Sequence, residues 1–345
     1  MSKKAELLNI QNLIVKEYGE IFFDIDKLRE EKLQIIPVSL GLDIALGGGW
    51  EEGNIGTVAG LSGSGKTTYC LTLAAAAQKC GKKVYWFDAE NRLKLSLLKT
   101  IDGLSTEKDK WEVVKSTKDK LLTAEDIFNI MISLLEKEEN ILIILDSIAA
   151  LCPENLRDQK IGDSRQMGGP AKITYDLMRK VSQIVRLKRS LLVGITHVQA
   201  NLSGYGSPHK DVGGNAWQYF SSYKLMCTKT SEVPSAGTAD EKKTGRESIF
   251  KITKSALSAG TGSGMFPIRY GRGYDKYGDI AKLAIDLAMI DAKGAWLNYT
   301  FEGEEVKIQG VEKLIKHLSK TPKHAEYFES KIRELALAAE STDDE

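Results

Sequence analysis

The sequence contains few cysteines, and their spacing fits neither of the usual cysteine frameworks. Cys70, Cys80, Cys152 and Cys227 include no CxxC pair, which argues against a zinc site and against a disulfide-stabilised fold. Long apolar runs are also lacking, since a run such as ILIIL at 141–145 is too short to cross a bilayer. The N-terminus mixes charges into its apolar residues and has no signal-peptide core. These absences predict a cytoplasmic protein with reduced thiols and no membrane partner.

A dominant charge of one sign is missing too. The 345 residues include 48 Lys plus Arg and 47 Asp plus Glu, a formal net charge of +1. Any nucleic-acid site must therefore come from local clustering of basic residues. Hydrophobic residues make up 42% and charged residues 28%, which is close to the average of folded proteins and excludes a wholly disordered or collagen-like chain.

Apolar runs of strand length alternate with stretches of helical period, which is typical of a mostly parallel α/β sheet. The predicted strands are 55–59, 84–88, 141–146, 191–197, 223–227 and 249–254. The predicted helices between them are 66–79, 124–137 and 171–188. Residues 37–275 are thus predicted to form a doubly wound α/β core.

The two ends of the chain differ from this core. Residues 1–36 predict a helix at 6–17 and an apolar, strand-like piece at 21–25, which either docks on a neighbouring subunit or packs on its own core. After Gly273 the pattern becomes helical, at 280–289, 311–318 and 324–339, and predicts a small C-terminal domain at 276–345 with an acidic tail. Within the core, the long stretches 153–170 and 199–214 are candidate binding loops, because loops of that length are uncommon in compact domains.

The strongest local signal is GLSGSGKT at 60–67, which matches G-x-x-x-x-G-K-[ST] between a predicted strand and a predicted helix. Its glycines allow a loop whose backbone N–H groups point at phosphate oxygens. Lys66, expected to be an exposed loop residue, would reach the β and γ phosphates, and Thr67 would place a hydroxyl on Mg²⁺. The residues of this segment predicted to bind ATP are Gly60, Ser62, Gly63, Ser64, Gly65, Lys66, Thr67 and Thr68.

Three further polar residues follow predicted strands. Asp146 ends the run ILIILD, at the sheet edge where α/β proteins bind ligands, and would hold Mg²⁺ through water together with Thr67. Glu90 is the candidate general base, with a surface turn residue as the alternative. His197 could sense a γ-phosphate and pass that information to the loop at 199–214, although a structural histidine is the simpler alternative.

Positive charge is clustered on the helix at 171–188. At 100° per residue, Lys172, Arg179 and Arg186 lie within roughly 40° of one another, opposite the apolar side. A solvated helix face is the alternative. Because this basic stripe runs between the two long loops, it predicts a groove for single-stranded nucleic acid. The loop residues proposed to share it are Arg165, Met167, Tyr205, His209 and Lys210.

Seen together, these segments resemble the RecA-type strand-exchange recombinases of bacteria and phages. The resemblance extends from about Lys16 to Leu337 and is carried, in order, by SLGLDIALGGG, FDAE, LDSIAAL, IGDS, LMRKV, GGNA and AKGAW. It implies a RecA-like P-loop ATPase core with an N-terminal polymerisation arm. The implied activity is ATP-dependent recombination, in which a homo-oligomeric filament on single-stranded DNA pairs with homologous duplex DNA, with ATP and Mg²⁺ between subunits.

The resemblance also implies roles for individual residues. Glu90 corresponds to the catalytic glutamate, with Lys66 and His197 beside it, and Lys254 to a lysine that reaches the ATP of the adjacent subunit. Tyr270 is a further predicted nucleotide contact. The residues implied in DNA binding are Arg165, Met167, Lys172, Arg179, Gln199, Tyr205, Gly213, Gly214 and Asn215.

Some positions depart from the family pattern. His197 stands where bacterial members have a glutamine, and phage members and related ring helicases have a histidine. Lys94 and Leu97 replace an acid and a tyrosine around adenine, and Ala256 replaces a second lysine. A RecA-fold hexameric replicative helicase is therefore an alternative, although it would usually carry a separate N-terminal domain. A small-molecule phosphotransferase is a second alternative, and it would leave the basic stripe unexplained.

Overall fold

Helices and strands alternate through the middle of the chain, as the apolar pattern predicts. The computed structural model describes residues 3–157, 160, 169–200, 209–211, 216–234, 243–258 and 262–342. The helices are α1 Lys3–Tyr18, α2 Ile25–Glu30, α3 Leu40–Leu46, α4 Lys66–Lys79, α5 Leu95–Leu98, α6 Ala124–Lys137, α7 Glu154–Arg157, α8 Gly169–Leu187, α9 Ala216–Phe220, α10 Lys276–Asp286, α11 Val311–Lys320 and α12 Pro322–Thr342. The strands are β1 Ile35–Ile36, β2 Trp50–Glu51, β3 Ile55–Gly60, β4 Lys83–Asp88, β5 Trp111–Val114, β6 Ile141–Asp146, β7 Leu191–Ala200, β8 His209–Asp211, β9 Tyr223–Pro234, β10 Lys243–Lys254, β11 Ser263–Arg269, β12 Gly273–Tyr274, β13 Asp291–Lys293, β14 Trp296–Phe301 and β15 Glu304–Gln309.

The chain divides into two compact units, Met1–Gln34 and Ile35–Glu345. In the first unit, the helix predicted at 6–17 lies within α1. The prediction of a strand-like piece at 21–25 is wrong, because α2 already begins at Ile25 and residues 19–24 form no strand. The Asp24 side chain accepts a hydrogen bond from the Lys27 backbone N–H at 2.9 Å. This N-cap provides an acceptor for a free backbone N–H at the start of the helix from within the same segment. A strand would instead need a neighbouring strand for its backbone hydrogen bonds.

The main sheet of the second unit combines a parallel part with an antiparallel extension. Across the described residues its strand order is β12-β11-β10-β9-β3-β7-β6-β4-β5. Neighbours from β9 to β5 run parallel, whereas β10, β11 and β12 are antiparallel to their neighbours. Parallel strands require crossover connections, which α4, α6 and α8 supply. The predicted α/β fold class is confirmed.

Helices cover both faces of this sheet. Side chains of α4, including Leu71 and Leu73, share one buried cluster with Trp86 of β4. On the other face, Phe128 of α6 and Val181 of α8 share a second buried cluster. Strands with apolar partners on both sides appear in the sequence as continuous apolar runs, which is why they were predictable.

The strand and helix bounds agree best where the apolar pattern is continuous. The predictions 66–79, 124–137 and 141–146 match α4, α6 and β6. By contrast, β9 and β10 extend well beyond the predicted 223–227 and 249–254, because their outer halves form an antiparallel ribbon rich in polar residues. The edge strands β5 and β12, which are short, were not predicted, and neither was β11 between β10 and β12.

The two predicted loops begin differently from what the sequence suggested. Within 153–170, residues Glu154–Arg157 form α7 and α8 starts at Gly169. In the predicted loop 199–214, β7 continues through Ala200 and pairs with β8 in antiparallel register, with Gln199 opposite Lys210. The ends of both loop predictions are therefore wrong, because backbone pairing and a short helical turn occupy them. The middle parts, 161–168 and 201–208, lie outside the described residues.

The C-terminal region carries its own buried cluster. Its three-stranded antiparallel sheet, β13-β14-β15, was not predicted, whereas α10, α11 and α12 overlap the predicted helices. Leu314 of α11 and Phe328 of α12 share this cluster with Leu40 of α3. Arg333 of α12 also contacts the wholly buried Asp43 of α3, with Nη2 and Oδ2 3.1 Å apart. The division into domains at 1–36, 37–275 and 276–345 remains a prediction.

Membrane insertion is a separate question. None of the helices in the described ranges has the length and apolar character that a bilayer span requires.

Candidate functional site

A cavity of about 460 Å³ lies at the carboxyl ends of the central parallel strands. This is the edge of an α/β sheet where ligands bind. The predicted site residues that line the cavity are Ser62, Gly63, Ser64, Gly65, Lys66, Thr67, Thr68, Glu90, Asp146, His197 and Tyr270. Most of the nucleotide and catalytic residues predicted from separate segments are thus brought to one place.

The loop between β3 and α4 requires glycine for its close packing. Gly60 and Gly65 have φ angles of +155° and +88°, a region that L-residues rarely adopt. A Cβ atom on Gly60 would lie 2.8 Å from the Cβ of Cys227, and one on Gly65 would lie 2.7 Å from the Cδ1 of Ile268. Helix α4 begins at Lys66, so the loop is followed directly by a helix N-terminus. This arrangement suits an anion such as a phosphate.

Lys66 is buried, contrary to the expectation that it would be an exposed loop residue. Its Nζ donates hydrogen bonds to the carbonyl oxygens of Gly60 at 2.9 Å and Leu61 at 2.7 Å. Burial lowers the pKa of Lys66, and the charge of Asp146 opposes that shift. The loop folds over its own lysine, which holds the ammonium group in the cavity.

Thr67 and Asp146 form the oxygen-rich part of the cavity. The Thr67 hydroxyl donates to Oδ2 of Asp146 at 3.2 Å. Burial, and next the charge of Glu90, raise the pKa of Asp146 while the Thr67 hydrogen bond lowers it, and the net result is a pKa of about 6. A desolvated carboxylate beside a second carboxylate favours a nearby cation. These two oxygen ligands fit Mg²⁺, which commonly takes one or two protein ligands and completes its shell with phosphate and water.

Larger metal sites are not indicated. In the part of the chain that the structure describes, no cluster of three or more His, Cys, Asp or Glu side chains could hold a metal ion. The Thr67–Asp146 pair is therefore suited to a metal that arrives with a phosphate ligand.

Glu90 lies at the centre of a hydrogen-bond network. Its Oε1 accepts a hydrogen bond from the Ser147 hydroxyl at 2.7 Å and lies 3.1 Å from Nε2 of His197. Its Oε2 is 3.0 Å from the Arg92 guanidinium. Burial acts to raise the pKa of Glu90, but the Ser147 and His197 hydrogen bonds and the charge of Arg92 bring the pKa below its ordinary value. Glu90 is therefore ionised at neutral pH and can accept a proton.

The network involves residues that the sequence reasoning missed. Ser147 directly follows Asp146, and Arg92 follows Glu90 by two positions, so both were close to a recognised signal. Because an ionised carboxylate only accepts hydrogen bonds, His197 presents a protonated Nε2 to Glu90. The histidine thus contacts the candidate base directly.

Lys254 stands apart from this cavity. Its side chain is exposed, and its Nζ donates to the carbonyl oxygens of Gln218 at 3.0 Å and Ser221 at 3.3 Å. Its implied action on a neighbouring subunit stays a prediction. Tyr270, in contrast, lines the cavity and is about half-exposed, at 47%.

The basic surface of α8 is only partly open. Lys172 and Arg179 are exposed, while Leu177 and Val181 are buried on the opposite side, as the helical period predicts. Nearer the C-terminal end of the helix, Arg186 Nη1 lies 3.9 Å from the Glu51 carboxylate, so part of the charge is balanced. Further basic residues at that end pair in the same way, Lys188 with Glu139 and Arg189 with Glu52. The basic stripe is therefore strongest in the first three turns of α8.

The other predicted DNA contacts are only partly within the described chain. Gln199 is exposed near the end of β7, and His209 and Lys210 lie on β8. The remaining predicted contacts lie outside the described residues: Arg165, Met167, Tyr205, Gly213, Gly214 and Asn215.

A glycine-rich phosphate loop, a strand-end carboxylate and a parallel sheet flanked by helices define a P-loop ATPase core. Comparison with known proteins gives the family. Residues 6–275 match the model of the RecA N-terminal domain. The chain is 30% identical over 335 residues to Protein RecA of Streptococcus parasanguinis, covering 96% of this chain and 85% of that protein. It is 31% identical over 339 residues to Protein RecA of Nitratidesulfovibrio vulgaris strain DP4, covering 96% and 90%.

These matches cover nearly the whole chain, and the chain belongs to the RecA family. The resemblance inferred from the sequence is confirmed, and a RecA-type recombinase is the function that goes with it. The ring-helicase alternative is not favoured.

Proposed function

We propose that the chain hydrolyses ATP in a DNA-dependent way, assembles as a filament on single-stranded DNA and pairs it with homologous duplex DNA. The contact between Glu90 and His197, 3.1 Å long, carries this proposal. It joins the candidate base of the ATPase site to the strand that leads into one of the two candidate DNA loops.

The nucleotide would bind at the loop between β3 and α4. The backbone N–H groups of the loop and Lys66 would hold the phosphates, and Thr67 and Asp146 would hold Mg²⁺. The metal ion would neutralise phosphate charge. Tyr270 would contact the nucleotide from the far wall of the cavity, and Lys254 would serve the site of an adjacent subunit.

Glu90 would act as the general base. Its lowered pKa keeps it ionised, and the hydrogen bonds from Ser147 and His197 hold its carboxylate in one orientation. A base must lie within hydrogen-bond reach of the water that it deprotonates. Glu90 lines the same cavity as the phosphate loop, which supports this role for a water bound there.

Coupling to DNA would run through β7. His197 contacts Glu90 on one side and precedes Gln199 on the same strand, which pairs with β8. A change in the Glu90–His197 contact would therefore be felt at the base of the loop. Lys172 and Arg179 would supply phosphate contacts beside it, together with the predicted contacts outside the described residues.

The assembly is tested by electron microscopy of the protein with single-stranded DNA and a slowly hydrolysed ATP analogue. Helical filaments are the expected result. Closed rings would contradict the proposal and favour a helicase, whereas monomers would favour an enzyme that acts on a small molecule.

Electron microscopy and an ATPase assay of Lys66→Ala test the nucleotide site. We expect no analogue-dependent filament and less than about a tenth of the wild-type ATPase rate, because the variant lacks the charge that holds the β and γ phosphates. Lys66 hydrogen-bonds only to loop carbonyls and has no close ion-pair partner among the described residues. The variant should therefore unfold in urea at the same midpoint as the wild type. Residual ATPase activity above a tenth of wild type would contradict the role of Lys66 in phosphate binding.

A further inference from the structure

Arg246 stands out among the positively charged side chains of the nucleotide cavity. The Lys and Arg residues that line it are Lys66, Arg92, Arg246 and Arg269. Three of these have acceptors at 3.0 Å or less: the loop carbonyls for Lys66, Glu90 for Arg92 and Asp275 for Arg269. In the described part of the chain, the Arg246 side chain has no acceptor within 3.5 Å, and the one carboxylate within 4 Å of it is that of Glu232, at 3.7 Å.

The Nε of Arg246 is buried and lacks a hydrogen-bond partner in the described part of the chain. Glu232 lies opposite Arg246 on β9, but the carboxylate of Glu232 is also engaged by Lys243. Buried polar atoms are normally satisfied, and a guanidinium group has five donors to satisfy. The unused Nε donor of Arg246 therefore points to an acceptor that the described part of the chain does not provide.

The guanidinium group lies against the phosphate loop. A Cβ atom built on Gly63 would be 3.5 Å from Nη1 of Arg246, with no closer neighbour. Ser248, two positions further along β10, lies under the same loop, 3.1 Å from the corresponding point on Gly65, and its hydroxyl also lacks a partner among the described residues. Strand β10 thus places the Arg246 side chain in the cavity wall, and it places the unsatisfied Ser248 hydroxyl against the phosphate loop.

A second cavity, of about 330 Å³, also borders Arg246. Its lining carries four carboxylates, Glu247, Asp275, Asp286 and Glu312. Three cations, Arg246, Arg269 and Lys282, also line it, so its formal charge is −1, whereas the lining of the first cavity has a formal charge of +2. The first cavity, with the glycine loop and the N-terminus of α4, is the favourable one for an anion.

We infer that Arg246 is an additional nucleotide-contacting residue, which binds phosphate oxygens in the same subunit that supplies the phosphate loop. The Glu232 carboxylate lies 3.7 Å from Nη2 of Arg246, whereas the buried Nε has no partner in the described part of the chain. This inference rests on the proposed nucleotide site and adds to it a second positively charged residue, from the antiparallel part of the sheet.

The test is nucleotide affinity measured without DNA, in the presence of Mg²⁺, with ADP, a non-hydrolysable ATP analogue and adenosine as ligands. Arg246→Gln should weaken binding of ADP and of the analogue about tenfold or more, as expected for the loss of a charge-assisted hydrogen bond. Binding of adenosine, which has no phosphate, should not change. Lys251→Gln, at an exposed position of the same strand, is the matched control and should bind all three ligands as wild type does.

Arg246→Lys keeps the charge but loses the planar fork, so its ADP affinity should fall between those of wild type and Arg246→Gln. The weakening caused by Arg246→Gln should shrink as salt is raised, because salt screens the lost charge interaction. Both variants should keep the wild-type unfolding midpoint without nucleotide. If Arg246→Gln fails to fold, unchanged ADP affinity in Arg246→Lys at low salt overturns the inference.

Equal weakening of ADP and adenosine would show a structural role and overturn the inference. Unchanged ADP affinity in Arg246→Gln, while the wild type binds ADP, would overturn this inference alone. A wild-type protein that binds neither ADP nor the analogue would instead contradict the proposed function itself.

Discussion

The two ends of the central parallel strands both carry buried charge, but they use it differently. At the amino ends, Lys82 donates to the Glu52 carboxylate at 2.6 Å, to the Asn140 side chain at 2.6 Å and to the Arg189 carbonyl at 2.7 Å. The side chains of Lys82 and Glu52 are 0% and 1% exposed. At the carboxyl ends, Glu90 and Asp146 face a cavity instead.

This difference separates charge that holds the fold from charge that is available for a ligand. The three hydrogen bonds of an ammonium group are all used at Lys82, so this side chain has no donor left for a ligand. The cavity end keeps a carboxylate with a raised pKa at Asp146 and unsatisfied donors at Arg246. Substitutions at the amino ends should therefore reduce stability, and those at the carboxyl ends should reduce function.

The largest effect is expected for Glu90→Gln, which removes the candidate base but keeps its size and can still accept hydrogen bonds from Ser147 and His197. ATP turnover should fall by about 10²- to 10⁴-fold, the range for lost acid–base catalysis, while nucleotide and DNA binding persist. Steady-state ATPase assays measure this, with the exposed Glu107→Gln as a control that keeps full activity. Unchanged turnover would mean that another group positions the water.

Next in size is Lys82→Met at the opposite end of the strands. The variant leaves the buried Glu52 with Arg189 as its charged partner and removes the donor to the Asn140 and Arg189 oxygens, and we expect a loss of about 3 kcal/mol in the free energy of unfolding. Urea denaturation measures it, and the affinity of the remaining folded protein for ADP should not change. The neighbouring Lys83→Met breaks a more exposed pair with Glu112 and should cost at most about 1 kcal/mol. Equal losses in the two variants would contradict the contrast between the two ends.

A smaller, functional effect is expected for His197→Ala. The variant should bind nucleotide, but ATP should no longer tighten DNA binding, and DNA should no longer stimulate hydrolysis. Couplings of this kind typically change affinity by about 5- to 150-fold, and the effect on binding is reciprocal. His197→Gln, which can still donate to Glu90, should retain coupling. The test compares DNA affinity in the presence of an ATP analogue with DNA affinity in the presence of ADP. If the analogue tightens DNA binding by His197→Ala as much as it does for the wild type, the histidine has only a structural role.

The smallest effect is expected for the double variant Lys172→Ala and Arg179→Ala on the exposed side of α8. It should weaken DNA binding in either nucleotide state and flatten the dependence of log affinity on log salt by roughly 0.7 per lost phosphate contact. A salt titration of DNA affinity measures this. Removing two exposed lysines elsewhere, Lys108 and Lys118, should leave the slope near that of wild type. An unchanged slope in the α8 variant would identify the stripe as a solvated face.

Local sequence patterns predicted the elements that pack against the sheet core or lie inside it. Strand β6 and helices α4 and α6 were predicted with their observed bounds. A buried strand is continuously apolar, α6 has a clear amphipathic period, and α4 directly follows the phosphate-loop motif. The pattern failed at 21–25, where a local helix cap decides the structure, and at β13–β15, where short half-exposed strands have no distinct signal.

The sequence alone determined the phosphate loop, because a glycine-rich turn between a strand and a helix is a local arrangement that its own residues specify. Only the tertiary structure decided which distant residues surround that loop. Parallel pairing of β4, β6 and β7 brings Glu90, Ser147 and His197 within hydrogen-bond distance, and placement of β10 beside β9 brings Arg246 under the loop. Strand order depends on how helices and distant strands pack on the faces of the sheet, so the residues next to a given position in the sequence do not predict it.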